Sequence, residues 1–405
     1  MPEKSNKVEI HVNGRVYGGW KSVRIEIGME QLARAFSLEV TDKYPGNEQY
    51  RRIVPGDAVQ LFIGDDLLCT GYVTATPIKY DGRNVSVQVQ GKSKTVDLVD
   101  CCPVGVYGGS GGGSGEAKSA NKWEGVVVGN GVKKQAKVIS PATVKTMSWH
   151  GKKTSEIMAA LAAPYGIKVY VTSELGDKVA NHTVNPGEKV KDSINRLITL
   201  DDLVVTDTET GDLQIVDVSS AGECYDKLEL GKNVLSASAN FDASSLYSRY
   251  VVLGQKSGVD TDFGKGASES KGIVDSSFFK RNRLLVLKEK GQSTNVTSGK
   301  RATFEKEYRE SKYKEITYTV QGWRQSNGEI WSVNQKVAVD DILMDSDEEF
   351  LIMKLVFTLN SSGMQTGITL IPPRGYTREG NHDKTSSSST KKGNGEKNKW
   401  SAIVK

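Results

Sequence analysis

Apolar and polar residues alternate with a period of two over long stretches of this chain. Residues 7–97 consist almost entirely of such runs, among them KVEIHV, SVRIEIG and NVSVQVQ. In the segment 54–73, VPGDAVQLFIGDDLLCTGYV, two alternating runs flank a Gly-Asp-Asp turn. Alternation on both sides of turn-forming residues is typical of a β-hairpin. The pattern therefore predicts a first small β-barrel over residues 1–100.

The pattern changes after residue 100. Residues 101–145 hold a Gly/Ser linker, with GGSGGGSG at 108–115, and then a candidate hairpin. Residues 146–220 contain two runs of helical spacing, each followed by a short apolar run: TSEIMAALAAPYGIKVYV and KVKDSINRLITLDDLVVTD. Helical periodicity followed by a strand signal predicts a compact α+β module.

Alternation returns in the C-terminal part of the chain. We expect a second β-barrel over residues 221–376, with a mobile loop at 255–279 that is rich in Gly, Ser, Asp and Lys. Residues 377–405 form a polar tail that cannot bury a core.

The hairpin segment has a counterpart near the C-terminal end. Residues 54–93 and 331–373 both read as strand, Asp-rich turn, strand, Gly-containing turn and a last alternating strand. Upstream, VRIEIG and AFSLEV are matched by LSASANF and SRYVVLG. We interpret the match as a structural duplication. The predicted fold class is mainly β with an α+β insertion: two similar small antiparallel β-barrels plus a helix–strand module.

Composition excludes several classes of protein. The 405 residues carry 54 basic and 49 acidic side chains, a net charge of +5. The basic residues cluster only briefly, as at Arg51-Arg52, whereas a dedicated nucleic-acid binder shows a concentrated basic stripe. No apolar run approaches the ~20 residues of a membrane span, and no secretory signal is visible, so we expect no direct membrane insertion.

The candidates for redox and metal chemistry are few. The four cysteines lack CxxC spacing, which indicates a chain made in a reducing cytoplasm: Cys69, Cys101, Cys102 and Cys224. The four histidines also lack metal-site spacing, and we place the third of them in a polar loop: His11, His150, His182 and His382. We expect no metal and no cofactor.

Adjacent carboxylates are the remaining candidates for catalysis. Asp65-Asp66, Asp201-Asp202 and Asp340-Asp341 each form a pair. Glycoside chemistry needs two carboxylates facing one cleft, whereas neighbours on a strand point to opposite faces. Because the pairs recur at hairpin turns, we interpret them as turn residues and expect no enzymatic activity.

Several segments together resemble one family. FSLEVTDKYP, YRRIVPGDAVQLFIGDDLLCTGYV, GKSKTVDLVDCC, SEIMAALAAPYGIKV and GITLIPPRGY resemble the baseplate hub proteins of Mu-like contractile-tailed phages, within the superfamily of late control protein D and the T-even hubs. The resemblance covers residues 5–376, and its main departure is the Gly/Ser stretch at 108–115. It implies a homotrimer that sits between the hexameric tail tube and the trimeric central spike.

The duplication leads independently to the same symmetry. Three chains around one axis would place six similar barrels in a ring, and a closed ring hides sheet edges. The expected function is a trimeric symmetry adaptor in the virion tail baseplate, assembled in the host cytoplasm, with a channel for passage of genomic DNA. Its expected partners are the tail tube protein, the central spike protein and baseplate wedge proteins.

Two alternatives stay open from the residues: a tail-associated cell-wall hydrolase and a type VI secretion spike-like protein. Six residues on the two matched hairpins are the candidates for assembly interfaces: Asp65, Asp66, Arg51, Arg52, Asp345 and Asp347.

Overall fold

A computed structural model gives the fold of the chain. It describes residues 5–41, 53–81, 85–104, 123–128, 132–138, 147–171, 178–201, 203–216, 218, 221–255, 269–292 and 295–376. The predicted Gly/Ser stretch at 108–115 and the predicted polar tail at 377–405 lie outside these residues.

The N-terminal part forms one half of a large, mostly antiparallel sheet. Its strands, numbered in chain order, are β1 (Val8–Val12), β2 (Arg15–Tyr17), β3 (Ser22–Gly28), β4 (Ala35–Thr41), β5 (Ala58–Ile63), β6 (Asp66–Ala75), β7 (Ile78–Tyr80) and β8 (Val85–Ser93). The strand order is β3-β4-β8-β6-β5-β1-β2, and β7 pairs with β8 beyond the end of β6. Alternate residues face the core, as the sequence pattern predicts, and Ile10, Ile25, Leu38 and Leu61 are fully buried.

The C-terminal part forms the other half of the same sheet. Its strands are β16 (Gly222–Glu223), β17 (Leu228–Glu229), β18 (Val234–Ala239), β22 (Ile316–Gln321), β23 (Gln335–Asp341), β24 (Ser346–Asn360) and β25 (Gly363–Ile371). The strand order is β18-β22-β25-β24-β23, and β16 and β17 pair in parallel with β23. A single apolar core extends under both halves.

The two halves have the same topology. The order β3-β4-β8-β6-β5 is repeated strand for strand by β18-β22-β25-β24-β23. A β-bulge interrupts the pairing at the same place in each half, between Val73 and Ala75 and between Ile352 and Lys354. One sequence match was wrong: SRYVVLG does not correspond to AFSLEV, because its strand belongs to a separate sheet and β22 occupies the corresponding place.

The mainly β class is confirmed, but among the described residues neither half closes into a barrel. Strand β24 joins the halves, because one edge pairs with β25 while the other pairs first with β23 (346–351) and then with β3 (354–359). At the change of partner, the Met29 N–H donates to the Met353 carbonyl at 2.8 Å. The predicted pair of barrels is therefore one continuous sheet with an internal junction.

An α+β module lies between the halves in sequence. It contains α1 (Val96–Asp100), β9 (Trp123–Val128), β10 (Val132–Val138), β11 (Ser148–Lys153), α2 (Thr154–Ala162), β12 (Val169–Val171), β13 (Lys178–Thr183), α3 (Val190–Asp201), β14 (Val204–Asp207) and β15 (Leu213–Val216). A five-stranded sheet runs in the order β14-β15-β12-β10-β9, and β11 pairs with β13. The helices pack on an apolar core of their own that includes Ile157, Leu161, Ile194 and Leu197. The two predicted helix–strand units are present.

A second insertion interrupts the C-terminal half. It consists of β19 (Arg249–Gln255), β20 (Glu269–Asp275), β21 (Leu284–Gln292) and α4 (Asn295–Tyr313), with the strands in the order β20-β19-β21. Helix α4 approaches β20 closely: a Cβ on Gly272 would lie 2.1 Å from the Ser298 carbonyl oxygen. The predicted mobile loop is strand over residues 269–275, and its residues 256–268 lie outside the described chain. The proposed domain boundaries stay a prediction.

A buried ion pair fixes the α+β module to the first half of the sheet. The Arg34 Nε donates to Asp207 Oδ1 at 3.1 Å, and the Arg34 backbone N–H donates to Asp207 Oδ2 at 2.9 Å. The guanidinium also donates to the carbonyls of Leu68 and Asp207. Burial by itself lowers the pKa of Arg34, but the charges of Asp207 and Glu209 and the hydrogen bond to Asp207 together more than offset burial, so that the pKa is raised. Both side chains are almost fully removed from solvent, so neither charge has water as an alternative partner.

We predict that Arg34→Met destabilises the chain strongly. The substitution leaves the Asp207 carboxylate buried without its counter-ion, which costs about 3–5 kcal/mol in comparable sites. The matched control is Arg24→Met, because Arg24 forms an exposed pair with Glu26 that contributes at most about 1 kcal/mol. Urea denaturation followed by tryptophan fluorescence measures both variants. Equal unfolding free energies for the two would contradict the anchoring role of Arg34.

His182 is buried in β13, so its placement in a polar loop was wrong. Its Nε2 lies 2.8 Å from Ser193 Oγ on α3, and its ring lies 6.0 Å from that of Trp149. Burial, and secondly the charge of Arg196, lowers the pKa of His182 to about 4. The imidazole is therefore neutral in the folded chain at neutral pH.

We predict a loss of stability as the pH falls from about 6.5 to about 4. In this range an unfolded His182, with an ordinary pKa of about 6.5, binds a proton that the folded chain does not, so the contribution present above pH 6.5 declines by up to about 3 kcal/mol. The loss should be smaller in His182→Gln. His150→Gln, at an exposed position on β11, should behave like the parent chain. Denaturation curves across this pH range test the difference, and identical pH slopes in all three would disprove it.

Candidate assembly surfaces

The β5–β6 hairpin tip is clamped by an arginine from the other half of the sheet. The Arg324 Nη1 donates to Asp66 Oδ2 at 2.6 Å, and its Nη2 donates to the carbonyls of Ile63 and Ser5 at 3.0 Å each. The Arg324 side chain is only 8% exposed. Asp66 thus serves as the internal partner of Arg324, which ties the tip of one half to the other half.

The turn between β5 and β6 lies very close to the chain at Ser5. Ile63 and Asp66 face each other in register, so Gly64 and Asp65 alone make the connection. Gly64 has φ of +59°, and a Cβ there would lie 2.4 Å from the Ser5 carbonyl oxygen. Asp65 is exposed at the outer side of the turn. The structure therefore separates the two predicted residues: the Asp66 carboxylate is held by Arg324, whereas Asp65 is exposed to solvent.

The second hairpin tip differs in chemistry. The Asp341 Oδ1 accepts hydrogen bonds from the backbone N–H groups of Leu343 and Met344, which holds a short 3₁₀ turn over Ile342–Met344. Ile342 and Leu343 project from this turn, 73% and 64% exposed. The turn ends at Asp345 in the left-handed region, with φ of +48°.

The remaining predicted interface residues lie beside this tip or outside the described chain. Lys314 Nζ donates to the Asp345 carbonyl at 3.0 Å and to Glu348 Oε1 at 2.7 Å. Asp347 is exposed on β24. Arg51 and Arg52 lie outside the described residues.

Two exposed strand edges, those of β7 and β18, were not predicted from the sequence. Among the described residues strand β7 pairs with β8 alone, and all three residues of β7 are exposed. Strand β18 is a terminal strand of the main sheet and, in the part of the chain that the structure describes, pairs with β22 alone. The alternation of Ile78 and Tyr80 was a possible signal for β7, but three residues after Pro77 are too few to recognise as a strand.

The Asp340-Asp341 pair is divided between the two faces of its strand. Asp341 is buried and caps the 3₁₀ turn, whereas Asp340 is exposed on the opposite face of β23. Among the described residues no group of three or more His, Cys, Asp or Glu could hold a metal ion. Within the same residues no helix is both long and apolar enough to cross a bilayer.

Three family models match successive parts of the chain. Residues 7–93 match the N-terminal domain of the Mu phage baseplate assembly protein GpP-like family, residues 138–217 the second domain of the baseplate hub protein gp44-like family, and residues 293–379 the fourth domain of Mu phage GpP. The baseplate hub protein gp44 of Escherichia phage Mu is 26% identical over 384 residues, which is 92% of this chain and 89% of that protein. The chain belongs to the Mu-like phage baseplate hub family.

Solved structures agree with this assignment. The 43 kDa tail protein of prophage MuSo2 from Shewanella oneidensis superposes with a TM-score of 0.72 at 25% identity, covering 92% of this chain and 99% of that one. A tail protein from Neisseria meningitidis MC58 has the same fold, with a TM-score of 0.66 at 16% identity and the same coverage. As a baseplate hub protein the chain is a component of the tail of the phage virion.

We predict that Asp66→Asn destabilises the hub protein and that Asp65→Asn does not. Loss of the charge opposite Arg324 weakens a charge-assisted hydrogen bond, and because Asp66 is 40% exposed the expected cost is only about 1 kcal/mol. Asp65 lies one residue away on the same turn and should change stability by less than about 0.5 kcal/mol. Thermal unfolding of the two variants side by side measures the difference. A larger loss of stability in Asp65→Asn than in Asp66→Asn would contradict the role of Asp66 as the partner of Arg324.

Proposed function

We propose that this hub protein is a homotrimeric symmetry adaptor between the hexameric tail tube and the trimeric central spike. The duplicated strand order, β3-β4-β8-β6-β5 and β18-β22-β25-β24-β23, carries the proposal. Three copies of a twofold-repeated chain present six similar surfaces to a sixfold tube while keeping true threefold symmetry for a spike. In a closed ring every heterologous contact is made, because one face of each copy binds the opposite face of the next copy.

The ring would enclose a channel through which genomic DNA passes. A channel of this kind must not hold the DNA, because each phosphate contact made by Lys or Arg strengthens binding. The net charge of +5 over 405 residues, with basic and acidic side chains interspersed, fits passage better than retention. Baseplate wedge proteins would contact the outer side of the ring.

The proposed role is structural, without enzymatic activity. The carboxylates that suggested acid–base chemistry have other partners: Asp66 binds Arg324, and Asp341 caps a turn. Buried Asp207 is engaged by Arg34. A tail hydrolase would require two carboxylates across one open cleft, which these placements do not provide. Clearing of peptidoglycan in a zymogram by the purified chain, lost on substitution of an Asp pair, would overturn the structural role.

We predict a particle of three times the 44.1 kDa chain mass. Native mass spectrometry of the purified protein, alone and mixed with the tube and spike proteins of the same phage, measures it. Addition of the spike protein should give one complex with three copies of each, and the tube protein should add in sixes. Monomers or hexamers of this chain in the presence of both proteins would overturn the proposal.

A further inference from the structure

The internal junction supplies a template for contacts between copies. At this junction the last part of β24 pairs antiparallel with β3, with Phe357 opposite Ile25, Thr358 opposite Arg24 and Leu359 opposite Val23. Here the outer edge of the C-terminal repeat meets the first strand of the N-terminal repeat. Each chain contains two repeats, and each repeat has an outer edge and a first strand. The junction uses the outer edge of one repeat and the first strand of the other, so one edge of each kind remains.

The remaining two edges can be identified residue by residue. The bulge aligns β6 and β8 of the first repeat with β24 and β25 of the second. In this alignment equivalent residues are always 279 positions apart, as are Val73 and Ile352. Ile78 and Tyr80 on β7 are thus equivalent to Phe357 and Leu359. Their neighbours on β8 obey the same spacing, which shows that β6 and β7 together correspond to β24 without a gap.

Strand β18 occupies in the C-terminal repeat the place that β3 has in the N-terminal repeat. Ala237 and Ala239 pair with Tyr318 and Ile316 on β22, just as Val23 and Ile25 pair with Leu38 and Phe36 on β4. Counting along β25 and β8 from their bulges makes Tyr318 equivalent to Leu38. Ala237 and Ala239 therefore correspond to Val23 and Ile25.

Burial at these equivalent positions depends on whether the edge is paired. Phe357 is fully buried at the junction, whereas its equivalent Ile78 is 48% exposed and the neighbouring Tyr80 is 83% exposed. Across the junction Ile25 is fully buried, whereas its equivalent Ala239 is partly exposed. The large side chains of Ile78 and Tyr80 on β7 are complementary in size to the small alanine side chains on β18.

The backbone of β7 is also oriented for an outer partner. The Pro77 carbonyl accepts a hydrogen bond from the Gln88 N–H on β8, so Pro77 faces inward and its missing N–H is not at the open edge. Alternation then turns the N–H and C=O groups of Ile78 and Tyr80 outward. In β24 the Met353 carbonyl bonds to Met29, so the equivalent residues Phe357 and Leu359 face β3 in the same way.

We infer that β7 of one copy pairs antiparallel with β18 of a second copy of this chain. The register is that of the internal junction: Ile78 opposite Ala239 of the partner subunit, Lys79 opposite Ser238 of the partner subunit, and Tyr80 opposite Ala237 of the partner subunit. The contact is head to tail, so repetition around an axis covers the outer edges of β7 and β18 in every copy. The inference rests on the proposed ring and names the strands that close it.

Cross-linking at one residue pair tests the register. Lys79 and Ser238 would form a non-hydrogen-bonded pair with Cα atoms ~4.5 Å apart, within the range of a disulfide. Lys79→Cys with Ser238→Cys, in a Cys102→Ser background, should give covalent dimers and trimers on a denaturing gel after copper–phenanthroline oxidation. The matched control is Lys79→Cys with Ser236→Cys, an exposed serine on the same face of β18 but one pair further along. It should give about tenfold less product, since diagonal Cα atoms lie ~7–8 Å apart.

Native mass spectrometry of the unoxidised proteins separates the possible failures. Trimers in which both cysteine pairs cross-link equally, or neither does, would overturn the strand pairing and leave the trimeric adaptor intact. A chain that stays monomeric with its tube and spike proteins would overturn both. Independently, Ile78→Glu should lower the trimer fraction about tenfold, whereas Val16→Glu, at an exposed apolar position on β2, should leave it unchanged. Unchanged trimers in Ile78→Glu would also contradict the pairing.

Discussion

The change of partner along β24 is the constraint on which the rest of the structure depends. Before the bulge at Met353 the core-facing residues are Phe350 and Ile352, and after it they are Leu355 and Phe357. An unbroken strand would turn Lys354 toward the core instead, because side chains alternate with a period of two. The bulge thus keeps apolar residues on the core side along both segments, and each segment can take a different neighbour. Without it, β23 and β3 could not share one edge.

The same strand also determines where the insertions are attached. Leu351 and Met353 point away from the main core and pack with Met29, Val204 and Val216 in a small cluster under the α+β module. The Thr206 hydroxyl donates to the Gly28 carbonyl close by, and the Arg34–Asp207 pair lies on the next part of β14. Apolar contacts, a buried charge pair and a backbone junction therefore meet in one region. Changes in this region would disturb both the sheet and the module.

Local patterns were sufficient to predict most strands but not their partners. The alternation in β5 and β6 identified that hairpin, and helical spacing identified α2 and α3. In β24 the run FLIMKLVF is apolar at nearly every position, a signal of a strand buried on both faces, but nothing in it indicates that β3 is a neighbour. The repeat was mismatched at β4 because a three-stranded insertion separates β18 from β22 in sequence.

Side-chain contacts across long separations could not be predicted from the sequence at all. Arg34 and Asp207 are 173 residues apart, and Arg324 and Asp66 are 258 apart. In isolation Asp66 looks like an ordinary turn residue, and only the fold shows that Arg324 reaches it. His182 was missed for a related reason: its strand has the sequence KVANHT, whose polar residues are typical of a loop, and the burial comes from α3 and Trp149.

The repeats are alike in their strands and different at their hairpin tips, and a symmetry adaptor needs both properties. At one tip Gly64 and Asp65 make a minimal polar turn, whereas the equivalent tip carries Ile342 and Leu343 on a capped 3₁₀ turn. In a ring of three copies the equivalent strands would recur six times, but the apolar tip only three times. A sixfold neighbour can then bind the strands that the two repeats have in common. A threefold neighbour can bind the apolar hairpin tip, which only one repeat carries. The duplication supplies the first kind of surface, and divergence at a turn, where sequence change disturbs the core least, supplies the second.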